Sequence, residues 1–381
     1  MSQTAHACGA CIRRGHLVGF LAPHLAGVLD SHRRDDRDRT RLRGVLALDD
    51  SDLIRAVAGR AELDALRFLE DFDSDAAREG LEDREISAIC RHAPGYPTSL
   101  GALSDSPAIL FCTSDAECLA GLHAGRPVAV VGARRASPYG LEMAYRIGRG
   151  LGAAGVTVVS GLALGIDAAA HRGCLDAGGP AIGVLAGGPD VPYPRSNAGL
   201  YERLRLEGIV VSEMPPGVRP FRWAFPARNR IMAALSAATL VVEAADPSGS
   251  LITSEFAQQM GRTVAAVPGR ATARLAAGAN RLLKDGALVV TSTEDLLDEL
   301  FGVGNRPDPP VGPRAAPPDP VEESILDAVA AEMDIDGICA AAGLPVREAR
   351  AALTRLEATG HVRRDALGAY HATASGADGT P

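Results

Sequence analysis

No run of about 18 uncharged apolar residues occurs in the 381-residue sequence, so no membrane-spanning helix is expected. Residues Met1 to His16 carry Cys, His and Arg but no apolar stretch ahead of a small-residue cleavage site, which argues against a secretory leader. Lysine is nearly missing: Lys284 is the only one, and the other 38 basic residues are arginine. The phosphate-loop pattern GxxxxGK[ST] is absent, which leaves a phosphate-loop ATPase without support. Seven cysteines are scattered at mostly wide spacing, which reads as reduced cytoplasmic thiols and not as a disulfide framework. There is no internal repeat. What remains is an ordinary globular composition, 46% hydrophobic and 23% charged, long enough for two or three domains.

The net charge of −8 hides an uneven distribution. Between Pro127 and Val290 there are 17 basic and 11 acidic residues, and the rest of the chain holds 22 and 36. A basic centre flanked by acidic ends suits phosphate groups, although chance unevenness would look the same.

The proline-rich stretch from Gly302 to Pro320 cannot hold a helix or a central strand and reads as a semi-rigid linker. A softer boundary is expected near Arg91–Pro97. Before it, Asp52–Ala58 and Glu62–Glu70 have apolar residues at helical spacing. The mixed charges of His32–Arg43 read as a solvated loop. From Pro127 onward, short runs rich in Val and Ile alternate with helical stretches. The strand candidates are Val128–Val131, Val156–Val159, Ala181–Leu185, Ile209–Val211, Thr239–Glu243, Thr263–Val267 and Ala287–Val290. This alternation predicts an α/β fold with a doubly wound, mostly parallel sheet covered on both faces. Such sheets bind ligands beyond the carboxyl ends of their strands.

The loops at those ends carry the informative residues. After the first strand, Gly132 permits a tight turn, Arg134 and Arg135 stand where an anion would be met, and Ser137-Pro138 opens a helix. This loop is not GxGxxG, so a nicotinamide dinucleotide site is unsupported. The plainer alternative is that Gly132 only packs helix on strand and the arginines are solvated. After the second strand come Ser160, Gly161 and Gly165, then Asp167 and His171, four apart on one helix face. An Asp–His pair invites general-base chemistry. Without a nucleophile motif, a structural pair fixing the loop is the preferred reading. After the third strand, Tyr193 offers a stacking surface, and Arg195 and Asn197 offer phosphate or base contacts. The long stretch after the fourth strand ends in Phe225-Pro-Ala-Arg228-Asn229-Arg230 at a helix start. Cations there oppose the helix dipole, so a bound anion would explain them. The alternative is buried ion pairing to Glu213 or Glu243. After the fifth strand, Ser248-Gly249-Ser250 and Thr253 form a neutral, donor-rich cradle, and after the sixth Asn280 opens another helix. Together these loops describe a groove that holds a phosphate backbone and stacks bases. Replacing Arg134 or Arg228 by Ala is expected to weaken strand binding without disturbing the fold.

The ordered set Val131-Gly-Ala-Arg, Ser160-Gly-Leu-Ala-x-Gly-Ile-Asp-x-x-Ala-His171, Tyr193-Pro-x-x-Asn197, Ser212-Glu-x-Pro, Phe225-Pro-x-Arg-Asn-Arg230, Ser248-Gly-Ser-x-x-Thr253 and Gly278-x-Asn280 resembles the DNA-processing protein A family (DprA, also called Smf). The resemblance covers about Gly95 to Leu300. It implies an extended Rossmann-like domain over 93–301 that binds single-stranded DNA non-specifically and loads the RecA recombinase, with no enzymatic chemistry and no cofactor. A homodimer is implied, with single-strand-binding protein as a further partner, in natural transformation or recombination. By position, Arg134 and Arg195 look like the family's DNA-contacting residues, Arg195 standing where Lys is common. The competing reading is a nucleotide-acting enzyme of the phosphoribohydrolase-like group, using Glu255, or a nucleotide sensor in the same pocket.

Residues 1–92 stand where the family often carries a small helical domain of the sterile-alpha-motif type, which this sequence matches poorly. His6, Cys8, Cys11 and His16 have the types of zinc ligands, but no distal Cys pair follows, and free thiols are the preferred reading, with no metal assigned. Residues 321–373 read as three helices and a two-stranded hairpin, resembling the family's winged helix, in a duplex-binding or protein-binding role. Residues 374–381 are expected to be a disordered tail.

Overall fold

The computed structural model describes residues 7–29, 43–114, 119–121, 125–305, 320–331, 333–358, 362–364 and 370–372. The charged run 32–43, the linker 302–320 and the tail 374–381 lie wholly or mostly outside them. The chain divides into two units, 1–309 and 310–381.

The first unit is built on a nine-stranded sheet. Its strands are β1 (Ser87–Cys90), β2 (Ile109–Cys112), β3 (Val128–Val131), β4 (Val158–Ser160), β5 (Ala181–Leu185), β6 (Ile209–Ser212), β7 (Ala238–Val241), β8 (Thr263–Ala266) and β9 (Leu288–Val289). The spatial order is β1-β2-β6-β5-β4-β3-β7-β8-β9. Pairing is antiparallel for β1–β2 and β2–β6 and parallel for the rest. Strands β2 to β7 are buried along their whole length, as continuous Val and Ile runs require.

Alternate residues feed opposite cores. Val128, Val130 and Val210 point to one face, while Val131, Val211 and Val241 point to the other. The first face is covered by α5 (Pro138–Ala153), α6 (Ile166–Asp176), α7 (Ala198–Glu207) and α11 (Thr293–Phe301). The second is covered by α8 (Ala224–Leu235), α9 (Gly249–Gln259) and α10 (Ala277–Lys284). The chain therefore runs outward from β3 to β6 with helices on one face. It returns through α8 to β7 beside β3, and then runs the other way with helices on the opposite face. The topological switch lies between β3 and β7.

The N-terminal helices are α1 (Gly9–Leu29), α2 (Asp50–Val57), α3 (Glu62–Glu70) and α4 (Ser74–Glu82). The residues expected to mark a boundary at 91–97 do not separate them from the sheet. β1 precedes that stretch and pairs with β2, and Leu17, Leu21, Leu25, Leu53 and Ile54 share a core with Trp223 and Ala227 at the start of α8. The Trp223 indole N–H donates to the Ala22 carbonyl at 3.0 Å, which ties α1 to that helix. No helix among the described residues is long and apolar enough to cross a membrane.

The second unit holds α12 (Pro320–Ala330), α13 (Ile335–Ala342), α14 (Val346–Ala358) and the antiparallel pair β10 (Val362–Arg364) and β11 (Tyr370–Ala372). Asp334 caps α13, and Gly343 ends it in a left-handed conformation. Three helices followed by a hairpin, closed over Ile325, Leu353 and Val362, make a winged helix.

Helices α5 and α6 meet backbone to backbone. A Cβ at Gly173 would lie 2.1 Å from the Tyr145 carbonyl oxygen, and one at Gly148 would lie 2.3 Å from that of Ala170. Backbone cannot rotate away as a side chain can, so Gly173→Ala is expected to cost about 1–3 kcal/mol. Gly199→Ala, in α7 with open space around it, should be neutral or stabilising by up to about 1 kcal/mol. Chemical denaturation of the two variants checks this, and equal stabilities would show that the close helix approach does not exist.

Candidate nucleic-acid interface

At the switch point, the loops after β3, β4 and β7 and the start of α8 enclose a pocket of about 310 Å³. A larger cleft of about 490 Å³ opens beside α1, and none of the residues of those loops lines it.

The β3 loop is held by β7. The Ala133 N–H donates to the Glu243 carbonyl at 2.7 Å. Ser137 caps α5 through the Gly140 N–H, and its own N–H and hydroxyl donate to the Glu243 carboxylate at 2.8 and 2.5 Å. Glu243 is thus spent on the loop and pairs with no arginine among the described residues. Gly132 has no room for a side chain, because a Cβ there would be 2.5 Å from Ile166. With the turn so anchored, Arg134 and Arg135 stay exposed, and neither has a carboxylate at salt-bridge distance among the described residues. The Arg134 guanidinium sits 4.9 Å above the Phe225 ring, in cation–π contact. The Phe225 ring lies 5.6 Å from the ring of Tyr193, which is 45% exposed. Cation and two aromatic rings form a continuous row at the pocket's edge. Arg195, also exposed, follows Tyr193 by two residues.

The pocket floor is Arg228, three residues beyond Phe225 in α8. Arg228 is 6% exposed, and its guanidinium donates to the carbonyls of Gly161 and Val184. It fits because Gly161 has no side chain: a Cβ there would lie 2.0 Å from the guanidinium. Asp167 accepts from the Gly161 N–H at 3.1 Å and lies 3.9 Å from Arg228. Burial pushes the Asp167 carboxyl up and Arg228 down to about 10, so Arg228 stays cationic at neutral pH. Across the pocket, Ser248 caps α9 and its hydroxyl meets that of Ser250 at 2.9 Å. Asn229 donates to the Gly249 carbonyl at 3.2 Å and fixes that loop. The Thr253 hydroxyl is buried there without a hydrogen-bond partner. A helix N-terminus, two serines and a cationic floor make a place for an anion.

Other residues read from the sequence as ligand contacts are spent inside the fold. Arg230 is 1% exposed and donates to both Glu213 carboxylate oxygens at 2.9 Å, with Asp105 at 3.0 Å, so buried ion pairing accounts for it. Asn197 is buried and donates to the Leu162 and Ala163 carbonyls. Asn280 clips Gly269 through its N–H and carbonyl at 3.1 and 3.0 Å. Ser160 donates to the Val130 carbonyl at 2.6 Å. Arg228 is also no surface residue, so Arg228→Ala would disturb the fold, contrary to the sequence reading. Asp167 and His171 do not bond to each other, because Asp167 is turned to Gly161 and Arg228. Tyr139, 45% exposed in the first turn of α5, donates its hydroxyl to the Pro268 carbonyl at 3.0 Å.

Comparison with known proteins adds the decisive observation. The sequence family described as DNA recombination-mediator protein A matches residues 87–301, from the first residue of β1 to the last of α11. The chain belongs to the DNA recombination-mediator protein A family. The family's DprA winged helix domain matches residues 307–366. A putative DNA processing protein DprA of Mycobacterium tuberculosis is 46% identical over 181 residues, which is 48% of this chain and 46% of that relative; the match spans about half the relative's length. DNA processing protein A from Streptococcus pneumoniae has a similar structure, with a TM-score of 0.58, 31% identity, and coverage of 76% of this chain and 95% of that one. DNA processing protein A from Helicobacter pylori, described for its single-stranded DNA binding mode, aligns at a TM-score of 0.50 with 28% identity, over 56% of this chain and 95% of that one. In family terms, α1 to α4 lie outside the matched region, whereas the pocket lies wholly within it.

His171 is fully buried in α6, with the Ser160 carbonyl near its ring but neither ring nitrogen in hydrogen-bonding geometry. Burial lowers its pKa to about 4. Between pH 6.5 and about 4 the unfolded chain binds this proton and the folded chain does not, so stability falls as pH falls through that window. The loss should reach about 3 kcal/mol near pH 4. Denaturation of wild type and His171→Gln at pH 7, 5.5 and 4 tests it: the variant should lack this part of the slope, and parallel profiles would show that His171 is not buried neutral.

Proposed function

We propose that the β3–β7 switch point binds single-stranded DNA without sequence preference. The row formed by Arg134, Phe225 and Tyr193 carries this reading. Aromatic faces accept any base, and a cation beside them follows the backbone. Exposed Arg135 and Arg195 extend the charge, and the pocket with its cationic floor receives a phosphate. The H. pylori relative, described for single-stranded DNA binding, supports the reading. The family's description as a recombination mediator supports a further role, handing the strand to a RecA-type recombinase; we further propose that the chain acts as a homodimer.

Fluorescence anisotropy with labelled poly-dT tests the site. Phe225→Ala is expected to cost about 1–3 kcal/mol, or about 5- to 150-fold in Kd, because one stacked base is lost. Arg134→Ala should weaken binding and lower the salt slope by about 0.7, the contribution of one phosphate on a single strand. Wild-type affinity in both variants would remove the proposed row. If poly-dT fails to bind at low salt while mononucleotides bind, the pocket serves a nucleotide and not a strand. Sedimentation and a RecA filament assay, with the protein added before or after single-strand-binding protein, test the dimer and the hand-over.

A further inference from the structure

Four ligand-type side chains outside the switch point converge on one spot. Cys8 stands just before α1 and Cys11 in its first turn; Cys90 ends β1, and His92 follows two residues later. Their three sulfurs and one ring nitrogen all lie within 4.8 Å of one another. His92 Nδ1 is 3.4 Å from both the Cys8 and the Cys11 sulfur. The thiols are free, not paired as disulfides. A tetrahedral zinc ion, with bonds of about 2.3 Å to sulfur and about 2.0–2.1 Å to nitrogen, places its ligand atoms roughly 3.5–3.8 Å apart. The cluster has that scale before any ion is added.

The spacing follows from local structure. The Cys8 carbonyl accepts the N–H groups of Cys11 and Ile12, a tight turn that brings two cysteines three residues apart to the same side. The start of α1 favours negative charge, which suits thiolate ligands. On the other side, the Arg91 N–H bonds the Ala108 carbonyl and the Ala93 N–H bonds the Cys90 carbonyl, so the chain turns sharply and brings His92 back toward Cys90. By sequence proximity alone, His6 and His16 would be the partners of Cys8 and Cys11. His16 instead bonds the Ile12 carbonyl through Nδ1 and packs against Phe72 and Phe111, and His6 lies outside the described residues. The missing pair is Cys90-x-His92, about eighty residues away.

We propose that Cys8, Cys11, Cys90 and His92 hold one structural zinc ion. Three cysteines and one histidine are a closed structural ligand set with no position left for substrate. The ion joins α1 to the edge strand β1, beside a small core of Ile12, Leu81, Ile86 and Phe111. It thereby closes the long loop holding α1 to α4, the part of the chain that the family match does not reach. Because a preformed site rarely exists in an unfolded chain, zinc binding adds to the stability of this union.

The test uses the full-length protein. Elemental analysis after exhaustive dialysis should find one zinc per chain. Cobalt(II) in its place should show thiolate-to-metal charge transfer and the intense visible bands of a tetrahedral site. Cys90 is buried, and Cys90→Ser risks the fold, whereas His92 is exposed and His92→Ala leaves packing intact. His92→Ala should weaken zinc retention against a chelating dye by about ten-fold or more, since loss of even an outer partner costs that much, and His92→Cys should restore it. Chelation of the wild type should lower its thermal midpoint and leave that of His92→Ala closer to unchanged. A wild type that carries no zinc, with these thiols free or with Cys8 and Cys11 oxidised to a disulfide, would overturn the proposal. Zinc retained undiminished in His92→Ala would overturn the ligand set.

Discussion

The Arg228 guanidinium, buried beneath the switch point, is the contact on which the interface depends. It gathers the ends of β4 and β5 through the Gly161 and Val184 carbonyls and faces the Asp167 carboxylate. A buried cation is costly unless its donors are matched, and here backbone carbonyls and one carboxylate match them. The start of α8 is thereby fixed. One turn earlier, Phe225 has a defined position and meets Arg134 from the β3 loop. The outer face of the site is only as ordered as this inner knot.

The basic centre of the sequence separates, in three dimensions, into two populations of arginine. Arg228 and Arg230 serve the interior, each surrounded by carbonyls or carboxylates. Arg134, Arg135 and Arg195 stand in solvent at the carboxyl ends of the strands. Composition cannot distinguish these groups, because guanidinium is equally suited to a matched buried pair and to a phosphate. The same holds for asparagine: Asn197 just ahead of α7 and Asn280 in the first turn of α10 both lie near the ligand edge, yet their amides are turned to the backbone of neighbouring loops.

Most of the α/β architecture was legible in the chain. Runs such as Val128–Val131 and Ala181–Leu185 are strands over the residues read, because apolar side chains on both faces suit only a covered parallel sheet. Others shifted by one or two residues: Val156–Val159 became Val158–Ser160, and Ala287–Val290 shrank to Leu288–Val289. β1 and β2 were missed because Ser87–Cys90 and Ile109–Cys112 pair across the proline-containing stretch 91–107 and lie ahead of the strand–helix alternation that marks the other strands. Helix α1 was missed although Leu17, Leu21 and Leu25 recur at helical spacing. The capped helices were plain: Ser137-Pro138 and Ser248 both open one where the sequence placed it.

The sequence by itself determined the layered sheet, the identity of its ligand-facing edge and the family, because periodicity, glycine and proline act over a few residues and repeat in order. Only the tertiary structure decided which loop residues face a ligand and which face each other. That choice is made by partners far apart in the chain, as when Glu213 claims Arg230 or Glu243 claims Ser137. It also brought Cys90 and His92 to Cys8 and Cys11, since no local pattern measures the distance between two segments that the folded sheet edge sets side by side.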